Sequence, residues 1–287
     1  MKKLAVVLFS LMGLTALAET DPTRKAEPIV AEGKRLYRSE MASWYGTDLF
    51  FERYRDRSQF GGYFSYVDGD IAKCVFYSKT ERPKVIGTVS FDSTYNVRTA
   101  EVDLMERAFT PYENEVYQVR KAAADLISRD TLFKSYKKTS LNLIPLVTDK
   151  EKKVYVLTGT SENNLVIFGN DYLIDFDKNN RITGRRKLHV SFLPISNLDD
   201  YGKPLKDAET MHSHQPETGD FITATDICTL MLYEKLVGWK NHTVASRKYV
   251  SIWDCTKDEL FVLKRSAVQK ILNDAQKRSM SSADGGK

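Results

Sequence analysis

A chain of 287 residues, 42% apolar and 28% charged, holds ample material for one large or two modest domains, and a core of that size needs no disulfide staples. The balance of 43 basic against 38 acidic side chains leaves a surplus of only +5, too small to argue for nucleic acid as a partner. Three cysteines, Cys74, Cys228 and Cys255, do not make a disulfide framework; they read as buried small residues, with a Cys228 to Cys255 bridge as the alternative.

The first eighteen residues have the form of a secretory signal: Lys2 and Lys3, an apolar run from Leu4 to Leu14, then small residues placed for cleavage after Ala18. No cysteine stands at the cleavage point to carry a lipid, and no later apolar run is long enough to span a bilayer. The expectation is a protein exported to the periplasm or secreted, with no transmembrane anchor. Loss of the signal removes two lysines and no acid, which lowers the net charge from +5 to +3.

Residues 19–35 are charged and proline-bearing and read as a tether. Residues 36–107 open with an aromatic-rich stretch around Trp44, Tyr45, Phe50 and Phe51. Alternating runs follow at 62–67, 72–77, 84–91 and 99–104, separated by turn residues, so this part is expected to be an antiparallel β-meander domain. Thr110, Pro111 and Glu113 form a capping-box signature, and apolar residues from Tyr112 to Ile127 then recur at helical spacing. Further strands are expected at 142–147, 153–158, 165–168, 172–176 and 187–195. The acidic pair Asp175 and Asp177 lacks a calcium-loop ladder and reads as a turn. A helix opening at Thr223 and ending at Gly238, strands at 242–246, 249–253 and 260–263, and a last helix around 268–275 complete a second, mixed α/β domain over 108–278. The tail 279–287 is expected to be disordered. The fold class is α+β.

The chemistry concentrates in one short segment. Only four histidines occur in the chain, and His212 and His214 are separated by a single residue, which on an extended strand sends both rings to one side. Asp226 follows closely. Two imidazoles and a carboxylate can supply three ligands to a tetrahedral zinc ion and leave a fourth position for water. Other readings stand beside this one: the histidines as a half-exposed polar pair, and Thr223 with Asp226 as a helix cap. The capping and metal readings are compatible, since a capped helix start is a rigid mount for a ligand. His189 and His242 lie beside predicted strands and read as packed or surface residues.

His212, His214, Thr223 and Asp226, in the order strand, loop, hydroxyl-x-x-Asp, helix, strand, resemble the signature of the JAB/MPN metalloproteases. The resemblance covers residues 110–265 by element order and 211–226 by residue. It implies zinc on His212, His214 and Asp226, an oxyanion held by the Thr223 hydroxyl, and a glutamate upstream that activates water. Element order points to Glu151 for that role, with a surface charge as the alternative reading; Glu162 and Glu209 are the other carboxylates in range. The spacer is eight residues rather than seven, Gln215 stands where a proline is usual, and threonine replaces serine. Two functions follow as expectations. One is an exported zinc-dependent peptidase acting on peptides or peptidoglycan-like amides. The other is a catalytically inactive module that binds an envelope protein partner. A purely structural envelope protein with no metal is the third alternative.

Overall fold

The computed structural model describes residues 21–284, and the chain is α+β. The segment expected to be a secretory signal, residues 1–18, lies outside the described residues. The first element is helix α1, Pro22–Arg53, whose 32 residues extend about 48 Å. Asp21 caps it by accepting the Thr23 N–H at 3.0 Å, and Pro22 occupies the first turn, where its missing N–H costs nothing. The segment read as a tether is therefore the first half of a long helix. Its fully buried positions, Ala26 and Gly33, are small, and Ile29 and Val30 packed beside them are only partly buried, so its apolar stripe is weak.

Strands β1 (Phe60–Asp68), β2 (Ile71–Ser78), β3 (Val85–Phe91) and β4 (Glu101–Asp103) form the expected antiparallel meander. The aromatic half of α1 lies on it, with Phe50 stacked on Phe76 at a ring separation of 3.9 Å. Helix α2, Pro111–Ile127, opens with the capping box of Thr110 and Glu113; the buried Glu113 carboxylate also takes a two-pronged pair from Arg107 at 2.6 and 2.7 Å.

Strands β5 (Thr139–Val147), β6 (Lys152–Thr160), β8 (Tyr172–Phe176) and β9 (Ile182–Lys187) make a second antiparallel sheet, while β7 (Leu165–Gly169) pairs with β10 (Phe192–Ser196). The single strand expected over 187–195 is thus two strands in different sheets. His189 sits in the loop between them. The third large sheet is β11 (Ala208–Ser213), β12 (Trp239–Ala245), β13 (Tyr249–Asp254) and β14 (Glu259–Lys264). Its first pair is parallel, which requires a crossover, and helix α3, Ala224–Val237, supplies it. The last helix, α4, runs Arg265–Asp284, so the expected disordered tail is helical as far as Asp284.

The boundary expected near Arg107 falls inside a shared core: Phe64, Val75 and Val85 of the meander pack in one cluster with Val119 of α2 and Val154 and Ile174 of the second sheet. A second cluster holds Ala26 of α1, Ile227 of α3 and Trp253 of β13. All three cysteines are buried and free, in accord with their reading as small core residues. No helix among the described residues is long and apolar enough to cross a membrane.

Candidate metal centre

Strand β11 alternates as its period dictates. Met211 is 63% exposed while His212, like His214 just beyond the strand end, is buried to 7%. The His214 N–H donates to Ala245 O at 2.9 Å, which extends the parallel pairing past Ser213 and fixes both rings on the inner side. Asp226 enters from the start of α3. There the Thr223 hydroxyl accepts the Asp226 N–H at 3.1 Å, and Asp226 Oδ2 accepts the Thr223 N–H at 2.9 Å. The capping box and the ligand reading of Asp226 thus hold together, and the cap aims the carboxylate.

The loop after β9 brings a fourth donor. Gly169, at φ 77°, lets this loop close in: a Cβ there would lie 2.1 Å from Ser191 O, the carbonyl that accepts the Asn170 N–H at 3.0 Å. The closure places His189 against Asp226. The donor atoms of His189, His212, His214 and Asp226 all lie within 4.8 Å of one another, and all four residues are buried.

The spacings suit a metal. Nε2 of His212 and Nε2 of His214 are 3.0 Å apart. Asp226 Oδ1 is 3.2 Å from His189 Nε2 and 3.7 Å from His212 Nε2, and Asp226 Oδ2 is 3.1 Å from His214 Nε2. The edge of a tetrahedron of zinc ligands with bonds near 2.0–2.1 Å is about 3.3 Å. These four separations lie on either side of that value. Asp226 Oδ1 and His189 Nε2 are buried yet make no aligned hydrogen bond, a pattern that a cation between them would satisfy.

Each ring is oriented from behind. His214 Nδ1 lies 3.0 Å from Phe221 O, which can only accept, so Nδ1 carries the proton and Nε2 turns its lone pair inward. His212 Nδ1 faces His242 Nε2 at 2.8 Å, and His242 Nδ1 faces the Thr210 hydroxyl at 2.7 Å. A donor relay running from His212 through His242 to Thr210 bares His212 Nε2 as well. The His242 ring lies nearly parallel to those of Phe168 and Trp239, with centroids 4.6 and 5.7 Å away. Behind His189 stands the Asp171 carboxylate, 3.4 Å from Nδ1.

The electrostatics favour positive charge at the centre. Burial pulls His212 down to about 4 and His242 down to about 3, so both are neutral and able to donate lone pairs. Burial also acts to lower His189, but the carboxylates of Asp226 and Asp171 outweigh it and carry that ring up to about 10. Burial would raise Asp226, yet the surrounding imidazoles hold it well below the usual carboxylate range. A cavity of about 30 Å³ adjoins the rings of His189 and His212, bordered by Phe168, Val190, Leu193 and Gln215, with room for one or two waters.

The structure therefore joins His212, His214 and Asp226, and adds His189. It does not bring Glu151 to them. Glu151 is exposed and paired with Lys153 at 3.1 Å, at the start of β6. The link from β6 to the centre is at its other end, where the Thr158 N–H donates to Asp171, seven residues and about 23 Å of strand away. Glu162 pairs with Lys138 and Glu209 is exposed beside Asn241, so neither replaces it. The Thr223 hydroxyl is committed to the cap and to Thr225 Oγ1 at 3.0 Å. His189 and His242 are the residues that sequence reasoning passed over; the signal that could have found them is the scarcity of histidine itself, since all four in the chain meet here.

Comparison of the chain with known protein families, with curated proteins and with solved structures gives no match in any of the three.

Proposed function

We propose that this chain is a metal-binding module that holds one zinc ion on His189, His212, His214 and Asp226. The observation that carries the reading is the set of four buried donors whose atoms all lie within 4.8 Å of one another. Three imidazoles and one carboxylate suit zinc among the common divalent ions. Four protein donors also complete a tetrahedron, the pattern of a site that stabilises rather than reacts. The module would serve at the cell envelope, where the signal segment sends it, and present its surface to a protein partner.

A second reading, amide hydrolysis of the JAB/MPN type, is supported by the order β11, α3, β12 and by the small cavity, from which a water could reach the cation as a fifth ligand. Zinc in such a site supplies Lewis acidity to water and carbonyl oxygen. What this chain lacks is a base: among the residues bordering the cavity none is a carboxylate, and Asp171 is engaged by the Thr158 N–H and by His189.

The deciding experiment is elemental analysis of the mature chain, purified without chelators, beside His214→Ala. One zinc per chain in the first and none in the second is the expected result. No metal in either after zinc is supplied would end the metal reading. Zinc-dependent cleavage of peptide or peptidoglycan cross-link amides, abolished in His212→Ala, would instead establish the hydrolase.

A further inference from the structure

A second built cavity lies away from the metal centre, where α1 crosses the seam between β1 of the meander and the pair β5, β6. Its volume is about 180 Å³. A cavity of roughly 150 Å³ accepts a six-membered ring, so this one holds a single ring with substituents and excludes a folded peptide. One wall is a single face of α1: Glu40, Ser43, Trp44 and Thr47 stand at positions i, i+3, i+4 and i+7. Ser140 and Asn142, alternate residues of β5, form the opposite wall. Gly159 of β6 keeps the floor clear, since a Cβ there would come within 3.0 Å of the Asn142 amide and 3.1 Å of Ser140 Oγ.

The polar groups form a directed set. Asn142 Nδ2 donates to Glu40 Oε2 at 3.2 Å, and the Ser140 hydroxyl donates to Asn142 Oδ1 at 3.1 Å. Glu40 Oε1 has no hydrogen-bond partner among the described residues. Burial pushes Glu40 up to about 7. The rings of Trp44 and Tyr233 lie 5.8 Å apart at the cavity edge.

We propose that this cavity binds one monosaccharide-sized polyol, its ring laid against Trp44 and its hydroxyls bonded to Glu40 and Asn142. A polyol presents a C–H face that packs on an aromatic ring, and vicinal hydroxyls that both donate and accept. The carboxylate and the amide offer the matching acceptors and donor. A quaternary ammonium ion would also meet aromatic rings and a carboxylate. The Arg120 guanidinium, 5.4 Å from the centre of the Tyr63 ring that borders the cavity, opposes such a cation.

Tryptophan fluorescence reads this site selectively, because Trp44 is 41% exposed whereas Trp239 and Trp253 are 4% and 0% exposed. The mature chain is titrated with glucose, N-acetylglucosamine and myo-inositol, and with tetramethylammonium, to about 50 mM, above the millimolar range of a weak single-ring ligand. A saturable change with at least one polyol is expected. It should weaken about tenfold or more in Glu40→Gln and Asn142→Ala, with near-ultraviolet circular dichroism unchanged. Should either variant lose its fold, Thr47→Phe, which blocks the cavity from the half-buried rim of α1, must abolish the change. No saturable change with any polyol, undiminished affinity in the folded variants, or saturation by tetramethylammonium in place of the polyols would overturn the proposal.

Discussion

Asp171 touches the candidate metal centre through one ring, and it is held by the strand behind it. Its Oδ1 accepts the Thr158 N–H at 3.2 Å, while Asn170 beside it, at φ 55°, donates to Lys134 O at 2.8 Å and accepts the Tyr172 hydroxyl at 2.6 Å. Asp171→Asn keeps this shape and removes the charge that faces His189. Zinc affinity is expected to fall about 10- to 100-fold at unchanged one-to-one stoichiometry, measured by competition with a chromophoric chelator. Equal affinity would show that Asp171 does not support the site. The ligands differ in how far the sequence announces them. His212 and His214 are legible because the two-residue period of a strand makes neighbours of alternate residues, and Thr223 with Asp226 because a capping box is a local motif. His189 and its Asp171 are not, since their meeting with Asp226 depends on a loop closing over Gly169 and on which sheet each flanking strand joins. A lone histidine between Leu188 and Val190 carries no such information.

Helix α1 shows why an element can hide in its own composition. A helix packed by large residues advertises a 3.6-residue period; a stretch whose fully buried positions are alanine and glycine advertises it weakly. Gly33 faces α3 so closely that a Cβ would lie 2.7 Å from Ile227 Cβ and 2.9 Å from Ala224 O. Intrinsic propensity favours alanine over glycine in a helix by about 1 kcal/mol, and overpacking costs about 1–3 kcal/mol. The backbone oxygen of Ala224 cannot move without shifting the cap that holds Asp226, so the packing cost is expected to win. Gly33→Ala should lower the thermal midpoint by roughly 2–6 °C and weaken zinc binding in step. A midpoint equal to or above that of the parent would mean the interface yields. The meander and both capped helices, by contrast, were readable because turn residues and cap signatures mark their ends. The run 187–195 hides its break for the opposite reason: apolar residues continue through it, yet β9 ends at Lys187, a loop spans 188–191, and Phe192 begins β10 on a different partner.

At the scale of the whole molecule, two carboxyl groups set a pH dependence. Burial pushes Glu40 up to about 7; burial, joined by the carboxylate of Asp258, pushes Glu234 up to about 8, where it accepts the Trp253 indole N–H at 2.9 Å. Both start from an ordinary value of 4.5. Below that pH the groups are protonated in folded and unfolded chains alike, and their contribution is fully present. As the pH rises from 4.5 towards 7 and 8, the unfolded chain releases protons that the folded chain retains, so stability is lost across this window. Urea midpoints at pH 5 and pH 8 and fixed zinc should therefore drop less in Glu234→Gln than in the parent; parallel drops would remove Glu234 from the account. Helix α1 has a consequence of another kind. Its first turn is fastened by the last strand, where the Val262 N–H donates to Thr23 Oγ1 at 3.1 Å, and its middle by Lys34 Nζ on Asp258 O at 3.0 Å, joining residues 239 and 224 positions apart. A chain released amino end first holds the amino-terminal half of this helix without a seat until almost every later residue has emerged, whereas the aromatic half can already lie on the meander. The two halves of the helix therefore settle at different times, and the final closure is a slow, long-range event that waits on the carboxyl-terminal strands.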